Sequence, residues 1–451
     1  MYSQSCILHD VRLDFVLWKT AMRRQSLWIA MCTATAVLGT TATHAAFVED
    51  SQVQLKFRNF FLDRQIDQPD QTKPQDFGSW SQAVTLDAKS GYAELGPVQV
   101  GVDVLAQYAF RLSGDRGDND YVMPYDYNSK EQARDNAKLG ATLKAKISQT
   151  ELKVGEILPM SPVVHFDPSR QLLTTFEGAW LESKDLKNTK LTLGYLDGVN
   201  ARYENQVHDF GLWPNELNTD KGKVREGDSE SMLIAGVDYQ VTPELAASYF
   251  YADVDNIYRQ NYLGLAFNKK LDEHNKIATH IRYFDNQDSG DAIYGEIDNQ
   301  AISLRGAWTH DNHTIDAGYQ QIFGDTGNVN AMFPTLSGWV PQPYLVNWSV
   351  ASFIRKDERS WSLGYTYDFK DTFAKGLTVT ARHYDGSNIK NNNGTRGKEQ
   401  EDNLIVNYVI PEGKLKGLGF QWMYINVNYA NVPGFVDLQE HRVATTYTYK
   451  F

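Results

Sequence analysis

Cations recur at alternate positions in five separated stretches of the chain: Lys56 and Arg58, Lys144 and Lys146, His280 and Arg282, Arg305, and Arg382. In each stretch the opposite parity is apolar: Val53, Leu55 and Phe57; Leu143 and Ile147; Ile277 and Ile281; Ile302, Leu304 and Trp308; Leu377 and Val379. A period of two sends the two sets to opposite faces of a strand. If the apolar face meets lipid, a charge turned toward the bilayer midplane costs about 2–4 kcal/mol, so the cations must face water. Basic side chains lining one narrow cavity can replace part of the hydration of a carboxylate and pass it from site to site. The plain alternative for each cation is a solvated charge paired with a neighbouring Asp or Glu, which contributes only about 0–1 kcal/mol. Recurrence on separate strands makes the set more persuasive than its members.

Two other groupings could do chemistry. Ser161, His165 and Asp167 crowd one segment and suggest a hydrolytic trio, but a triad needs tertiary geometry and an oxyanion site, which crowding does not supply. His310 and His313 flank an Asp-Asn turn with no cysteine and no third ligand near, so turn chemistry accounts for them better than a metal does. No Gly-rich phosphate loop or EF-hand pattern occurs. The expectation is a protein without catalytic residues, metal or cofactor.

The elements that position these cations read as strands. The body of the chain has no helix-length apolar run and no sustained helical period. It repeats segments of about ten residues with dyad alternation, rich in Tyr, Trp, Thr and Gly, as a transmembrane β-barrel does. In Trp361–Phe369 every odd position is apolar or aromatic and every even one small or polar. Short turns fall near Glu94–Pro97, Ser148–Thr150, Asp185–Lys190, Thr242–Pro243, Lys269–Asn275, His310–His313, Asp371–Lys375 and Glu412–Lys416. Long loops lie between them, among them 157–174, 286–299, 324–359 and 386–401. That gives about seventeen connections and about eighteen strands, an even number that puts both termini on the periplasmic side. Val346–Ile354 alternates like a strand but would break the parity, so it is placed inside a long extracellular loop folded back over the mouth.

The stretch from Lys138 to Lys184 organises the rest. Leu139, Ala141, Leu143, Ala145 and Ile147 share one face, and Ser148-Gln149-Thr150 reverses the chain. After Gly155 comes a segment too apolar and too Pro-broken for an exposed tip, with Pro159, Pro162, Val163, Val164, Phe166, Pro168, Leu172 and Leu173. Such a loop wants a cavity to fold into. At the far end Tyr447, Tyr449 and Phe451 fall on the lipid face, and Arg442 and Lys450 on the lumen face.

The start of the chain reads as a leader. Met22 is the expected true start, with Arg23 and Arg24 as a basic region, Leu27–Leu38 as an apolar region, and Thr43-His44-Ala45 as a cleavage site. The apolar run falls short of the roughly 20 residues of a membrane span. Both cysteines, Cys6 and Cys32, precede that site, so the exported part depends on no disulfide. The whole chain carries −12; residues 1–45 hold four cations and two anions, which leaves −14 for the remainder. That balance argues against a nucleic-acid partner.

The run ELKVGEILP…PVV…SRQLLTTFEG, Glu151 to Gly178, resembles the constriction-loop region of the OprD family of outer-membrane channels. FVEDSQVQLKFRNFF, Phe47 to Phe61, is similar to that family's mature N-terminus, and IYRQNYL (Ile257–Leu263) and ARHYDGSNI (Ala381–Ile389) resemble two further family strands. The resemblance implies a basic ladder for small carboxylate-bearing solutes, with Arg58 and Arg382 on ladder strands and Arg170 as the constriction-loop arginine. Because closure sets the first and last strands side by side, the strands of Arg58 and Arg382 are expected to share a wall or adjoin it, with Arg170 facing them across the constriction. The resemblance also implies that the terminal Phe451 is read by the barrel-assembly machinery. Two departures stand out. The family's penultimate strand carries an Arg-x-Arg pair where this chain has Gln421-Trp422-Met423, and the Pro-Gln after the constriction arginine is replaced by Leu173-Thr174-Thr175.

The sequence therefore predicts an all-β protein: residues 1–45 as an extended N-terminus plus secretory signal, and 46–451 as one transmembrane antiparallel barrel with an inward-folded constriction loop. Its expected place is the outer membrane of a Gram-negative bacterium, among its lipids, as a passive porin for small polar or anionic solutes. The ladder would comprise Lys56, Arg58, Lys144, Lys146, Arg170, Arg282, Arg305 and Arg382. The alternatives are a channel for neutral oligosaccharides, favoured if aromatics such as Trp422 face inward, and a barrel enzyme or adhesin with a closed lumen. Monomer and trimer both remain open.

Overall fold

The computed structural model describes residues 47–67, 76–114, 119–126, 128–213, 217–218, 223–224, 229–326, 333–336 and 342–451. The expected leader, with Cys6 and Cys32, lies outside the described residues. Among the described residues the chain forms a closed antiparallel barrel of 18 strands. In order these are β1 (Gln52–Ile66), β2 (Phe77–Lys89), β3 (Val98–Arg111), β4 (Asp135–Ile147), β5 (Thr150–Ile157) and β6 (Thr175–Ser183). There follow β7 (Thr189–Asn200), β8 (Met232–Gln240), β9 (Leu245–Val254), β10 (Tyr258–Lys270), β11 (Asn275–Asp288) and β12 (Asp298–His310). The last are β13 (His313–Thr326), β14 (Arg359–Asp368), β15 (Leu377–Lys390), β16 (Arg396–Val409), β17 (Gly419–Ala430) and β18 (Leu438–Lys450).

Each strand pairs with its neighbours in sequence, and β1 closes the sheet on β18 in a register running from Gln54↔Lys450 to Ile66↔Leu438. Closure removes every free edge, so all main-chain donors and acceptors in the membrane are satisfied within the wall. Alternation then sorts the side chains. Leu139, Leu193, Leu263, Leu363 and Tyr449 are exposed on the outside, whereas Lys144, Thr192, Phe284, Ser362 and Glu440 are buried on the inside. Aromatics mark both rims of the outer surface: Trp80, Tyr108 and Trp361 toward the long loops, Trp308, Tyr239 and Tyr449 toward the short turns.

Two departures from the sequence reading concern strand length. The loops expected at 286–299 and 386–401 shrink to 289–297 and 391–395, because β11, β12, β15 and β16 run on as hairpins. Apart from Ile389 these extensions are made of polar residues and glycine; Asn286, for example, bonds Asn299 at 2.9 Å and Gln260 at 2.7 Å. Above the bilayer the ladder persists while the apolar alternation that reveals it in sequence stops. The segment 346–354 is no strand. It folds inside the barrel, with Asn347, Ala351, Phe353 and Ile354 fully enclosed.

Candidate functional site

The lumen is narrowed by the segment between β5 and β6. Three prolines break its backbone away from the ladder, and two successive turns replace it: Phe166 N–H donates to Pro159 O at 3.0 Å and Thr174 N–H to Asp167 O at 3.2 Å. Its apolar side chains then need cover. Val163 and Val164 pack with Ile157, Phe176 and Trp180, while Leu172 packs with Phe60, Leu62 and Met123. Polar contacts pin it to several strands at once. Gln171 Nε2 donates to Arg58 O at 3.0 Å, Leu173 N–H to Gln107 Oε1 at 2.9 Å, and Lys138 Nζ to Leu173 O at 2.8 Å. Arg202 closes the base with an ion pair to Asp167 and a 2.8 Å bond to Ser169 Oγ. Burial alone would raise Asp167, but Arg202, Ser169 and Arg170 hold it below the ordinary carboxylate range.

The same segment disposes of the hydrolytic reading. Ser161 Oγ bonds the carbonyl of Val164 at 3.0 Å, His165 Nδ1 contacts Phe166 O at 2.7 Å, and Asp167 is taken by Arg202. The three side chains are spent on the loop itself. His310 and His313 bond Asn275 and Tyr365 at the short-turn rim, at 3.0 and 2.7 Å.

Around the loop base stands a dense arginine group. Arg170 is buried; among the described residues its Nε has no acceptor, and its Nη1 lies 3.4 Å from Ser169 O. Burial first, then repulsion from Arg442 and Arg202, pushes its guanidinium well below the usual value, with Glu440 opposing. Arg58, on β1, lies over the Phe60 ring at 5.1 Å; its Nε also lacks an acceptor, and its Nη1 reaches Pro168 O at 3.4 Å. Arg64 and Arg442 are both engaged by the buried carboxylate of Glu440.

Elsewhere the predicted cations are committed to internal partners. Lys56 pairs with Asp87 at 2.7 Å, and Lys144 with Asp103 at 2.6 Å while lying 4.8 Å from the Tyr92 ring. Lys146 lies 5.8 Å from that ring and, with Gln149, Glu151, Glu182 and Lys184, borders a cleft of about 220 Å³. Arg282 stacks on Tyr344 at 4.8 Å and donates to the Tyr344 carbonyl at 2.9 Å. Arg305 and Arg382 share one carboxylate: Asp316 Oδ1 lies 2.7 Å from Arg305 Nη2, and Oδ2 accepts from Arg382 Nη2 at 2.7 Å.

Three placements differ from the sequence reading. Arg58 and Arg382 do not adjoin: β16, β17 and β18 lie between their strands, and Arg382 turns the other way, toward Asp316. Arg170 sits with the Arg58 side of the lumen, among Arg64, Arg202 and Arg442, and not across from it. Trp422 faces outward, half-exposed beside His441 at 3.3 Å. Sequence reasoning also missed Arg64, Arg202, Glu440, Asp316, Glu399 and Glu401. Alternation marks most of these as lumen residues, since Asp316 lies opposite Ile315 and Tyr319 in parity, but it cannot name their partners.

A second segment occupies the mouth. Glu401 accepts from Ala351 N–H at 2.6 Å and from the Ser349 hydroxyl; Glu399 accepts from Phe353 N–H at 2.8 Å and Arg355 Nε at 2.9 Å. Gln342 Nε2 reaches Pro162 O at 2.9 Å, which joins this segment to the constriction loop.

Comparison with known proteins agrees with this architecture. The profile described as "outer membrane porin, OprD family" matches residues 45–451. The porin-like protein GalP of Pseudomonas putida is 29% identical over 392 residues, covering 86% of this chain and 89% of its own. The crystal structure of Acinetobacter baumannii OccAB4 superposes with a TM-score of 0.81 at 32% identity, over 89% of this chain and 98% of that one. That of Pseudomonas aeruginosa OpdK with vanillate gives 0.79 at 26% identity, over 90% and 100%.

Proposed function

The chain belongs to the OprD family of outer-membrane porins, and from that premise we propose that its lumen passes small carboxylate-bearing solutes by passive diffusion, with Arg58 and Arg170 as the groups that engage the carboxylate. One observation carries this reading. Both side chains stand at the constriction, each with a guanidinium Nε that has no acceptor among the described residues, while Lys56, Lys144, Arg305 and Arg382 each rest on an internal carboxylate. A buried donor without an acceptor is costly, and an incoming carboxylate satisfies it with charge-assisted bonds in the bidentate geometry a guanidinium favours. The vanillate in the OpdK structure is an aromatic carboxylate, a solute of the proposed class. Lys146 and Arg282, set against aromatic rings, add to the positive potential of the walls, while Lys56 and Lys144 are neutralised by Asp87 and Asp103. Trp422, which faces outward, lends the neutral-oligosaccharide alternative no support.

Residues 1–45 we read as the leader that exports the barrel. Phe451, exposed beyond β18 and edge-on to Tyr449 at 4.9 Å, we read as the residue presented to the assembly machinery. The function is tested in planar bilayers by reversal potential and by uptake of benzoate. Arg58→Ala with Arg170→Ala should shift selectivity several-fold toward cations and lower benzoate uptake. The effect should fade as salt shortens screening to about 8 Å or less. Adding Arg382→Ala should change little more. A double variant with unchanged selectivity and unchanged benzoate uptake would remove the carboxylate reading.

A further inference from the structure

The bridged pair farther round the wall, on β12 and β15, has the geometry of a filled carboxylate site. Arg305 comes from β12, Asp316 from β13 and Arg382 from β15, so Arg382 must cross β14 to reach the carboxylate. Register explains how. Asp316 pairs with Gly364, and Gly364 pairs with Arg382, so the three lie in one row across the wall. A Cβ at 364 would stand 2.6 Å from Asp316 Oδ2 and 2.9 Å from Arg382 Nε and Nη2. Only glycine leaves the passage open. Asp316 is 3% exposed, Arg382 14% and Arg305 33%. Arg305 is thus the more open of the two arginines, and its contact with Asp316 Oδ1 is an ion pair without an aligned hydrogen bond.

We propose that Asp316 is a specificity-determining residue that acts as a built-in competitor, its carboxylate holding the place between Arg305 and Arg382 that a solute carboxylate would otherwise take. Two guanidiniums converging on two oxygens of one carboxylate is the arrangement by which a pair of arginines grips an anion. With the place filled, this pair contributes a net positive charge to the wall but does not retain the cargo. A channel must bind weakly enough to release, and a second strong carboxylate site besides Arg58 and Arg170 would slow passage. This deepens the carboxylate reading and rests on it.

The test measures benzoate block of single-channel current in the full-length barrel. Asp316→Asn strips the competing charge and leaves a neutral amide that a solute carboxylate can displace from the two arginines, and should lower the half-blocking benzoate concentration several-fold and lengthen each block. Loss of one negative charge alone could shift ion selectivity, so Asp238→Asn, which removes one of the two carboxylates beside Lys190 (Asp238 at 3.2 Å, with Glu182 at 3.8 Å left in place), serves as the control. It should leave the block unchanged. Combining Asp316→Asn with Arg382→Ala should abolish the gain. Gly364→Ala, which drives a methyl into the pair without altering charge, should move block in the same direction as Asp316→Asn by a smaller amount. If Asp316→Asn leaves block unchanged, or its gain survives loss of Arg382, the competitor role is overturned. Failure of the carboxylate reading itself looks different: wild-type current would then show no benzoate block that depends on Arg58 and Arg170.

Discussion

The two rims of this barrel are built on opposite plans. At the short-turn rim each connection closes on itself. Ser148, Asn188 and Asp311 take positive φ of 55°, 57° and 50°, and their hydrogen bonds reach no farther than an adjacent turn. At the other rim the segments 158–174 and 342–358 leave the surface and find their partners across the lumen. Turns of the first kind serve the wall, because their contacts are local and exposed. Loops of the second kind set what passes, because their polar groups can be satisfied only inside the channel. Changes at the first rim should therefore touch stability and leave conductance alone, and changes at the second should do the reverse.

The largest departure should come from removing the constriction outright. Deleting Ser161–Ser169 takes away the loop tip and its cover but no strand residue. Single-channel conductance should rise several-fold, while the barrel still assembles and migrates as a heat-modifiable band. An unchanged conductance would mean that the loop does not lie in the conducting path.

A smaller effect is expected at the mouth. Glu399→Gln with Glu401→Gln keeps the side-chain shapes but strips the charge that holds Arg355, a pair with side chains 5% and 0% exposed. Breaking such a buried pair costs about 3–5 kcal/mol, enough to release a loop segment but not an 18-strand wall. Current should become noisier, and trypsin should cut after Arg355 or Lys356, which are buried and half-buried in the native mouth. Continued protection of both sites would show that the apolar contacts of Ala351, Phe353 and Ile354 suffice to hold the segment.

The same contrast governs how much the sequence disclosed. The wall was legible because lipid on one side and water on the other write a period of two into Trp361–Phe369 and its counterparts. The short turns were legible because their chemistry is local, as at Asp311-Asn312. Inward folding of 158–174 could be read from its prolines and its apolar side chains. What could not be read was partnership. Gln342 and Pro162 are 180 positions apart, Arg382 and Asp316 are 66, and nothing in a run of residues says which distant carboxylate a lumen arginine will meet. Thus eight cations could be placed on lumen parity or by resemblance, while the division into committed and uncommitted ones required the closed barrel. The separation of Arg58 from Arg382 failed in sequence for the same reason: closure makes β1 and β18 neighbours but leaves β15 three strands removed.

The smallest effect sharpens the comparison from the short-turn side. Asp185 clasps two adjacent turns: Oδ1 accepts from Ser148 Oγ at 2.5 Å and Gln149 N–H at 3.0 Å, and Oδ2 accepts from Thr150 Oγ1 at 2.6 Å. These bonds, led by Ser148, favour the ionised form and lower the carboxyl to about 2. An unfolded aspartate titrates near 3.9. A group depressed on folding adds stability that is complete above its unfolded pKa and disappears as pH falls through its folded one. The window here is therefore roughly pH 4 to pH 2, and at neutral pH the contribution is fully present. Because the site is open to water, Asp185→Asn should lower the thermal midpoint in detergent only slightly at pH 7. Between pH 4 and pH 2 the wild type should lose more of its midpoint than the variant, so that the two curves converge. Conductance and ion selectivity at neutral pH should be the same for both. Parallel curves down to pH 2 would assign the acid sensitivity to other carboxylates, and a changed conductance would erase the distinction between the two rims.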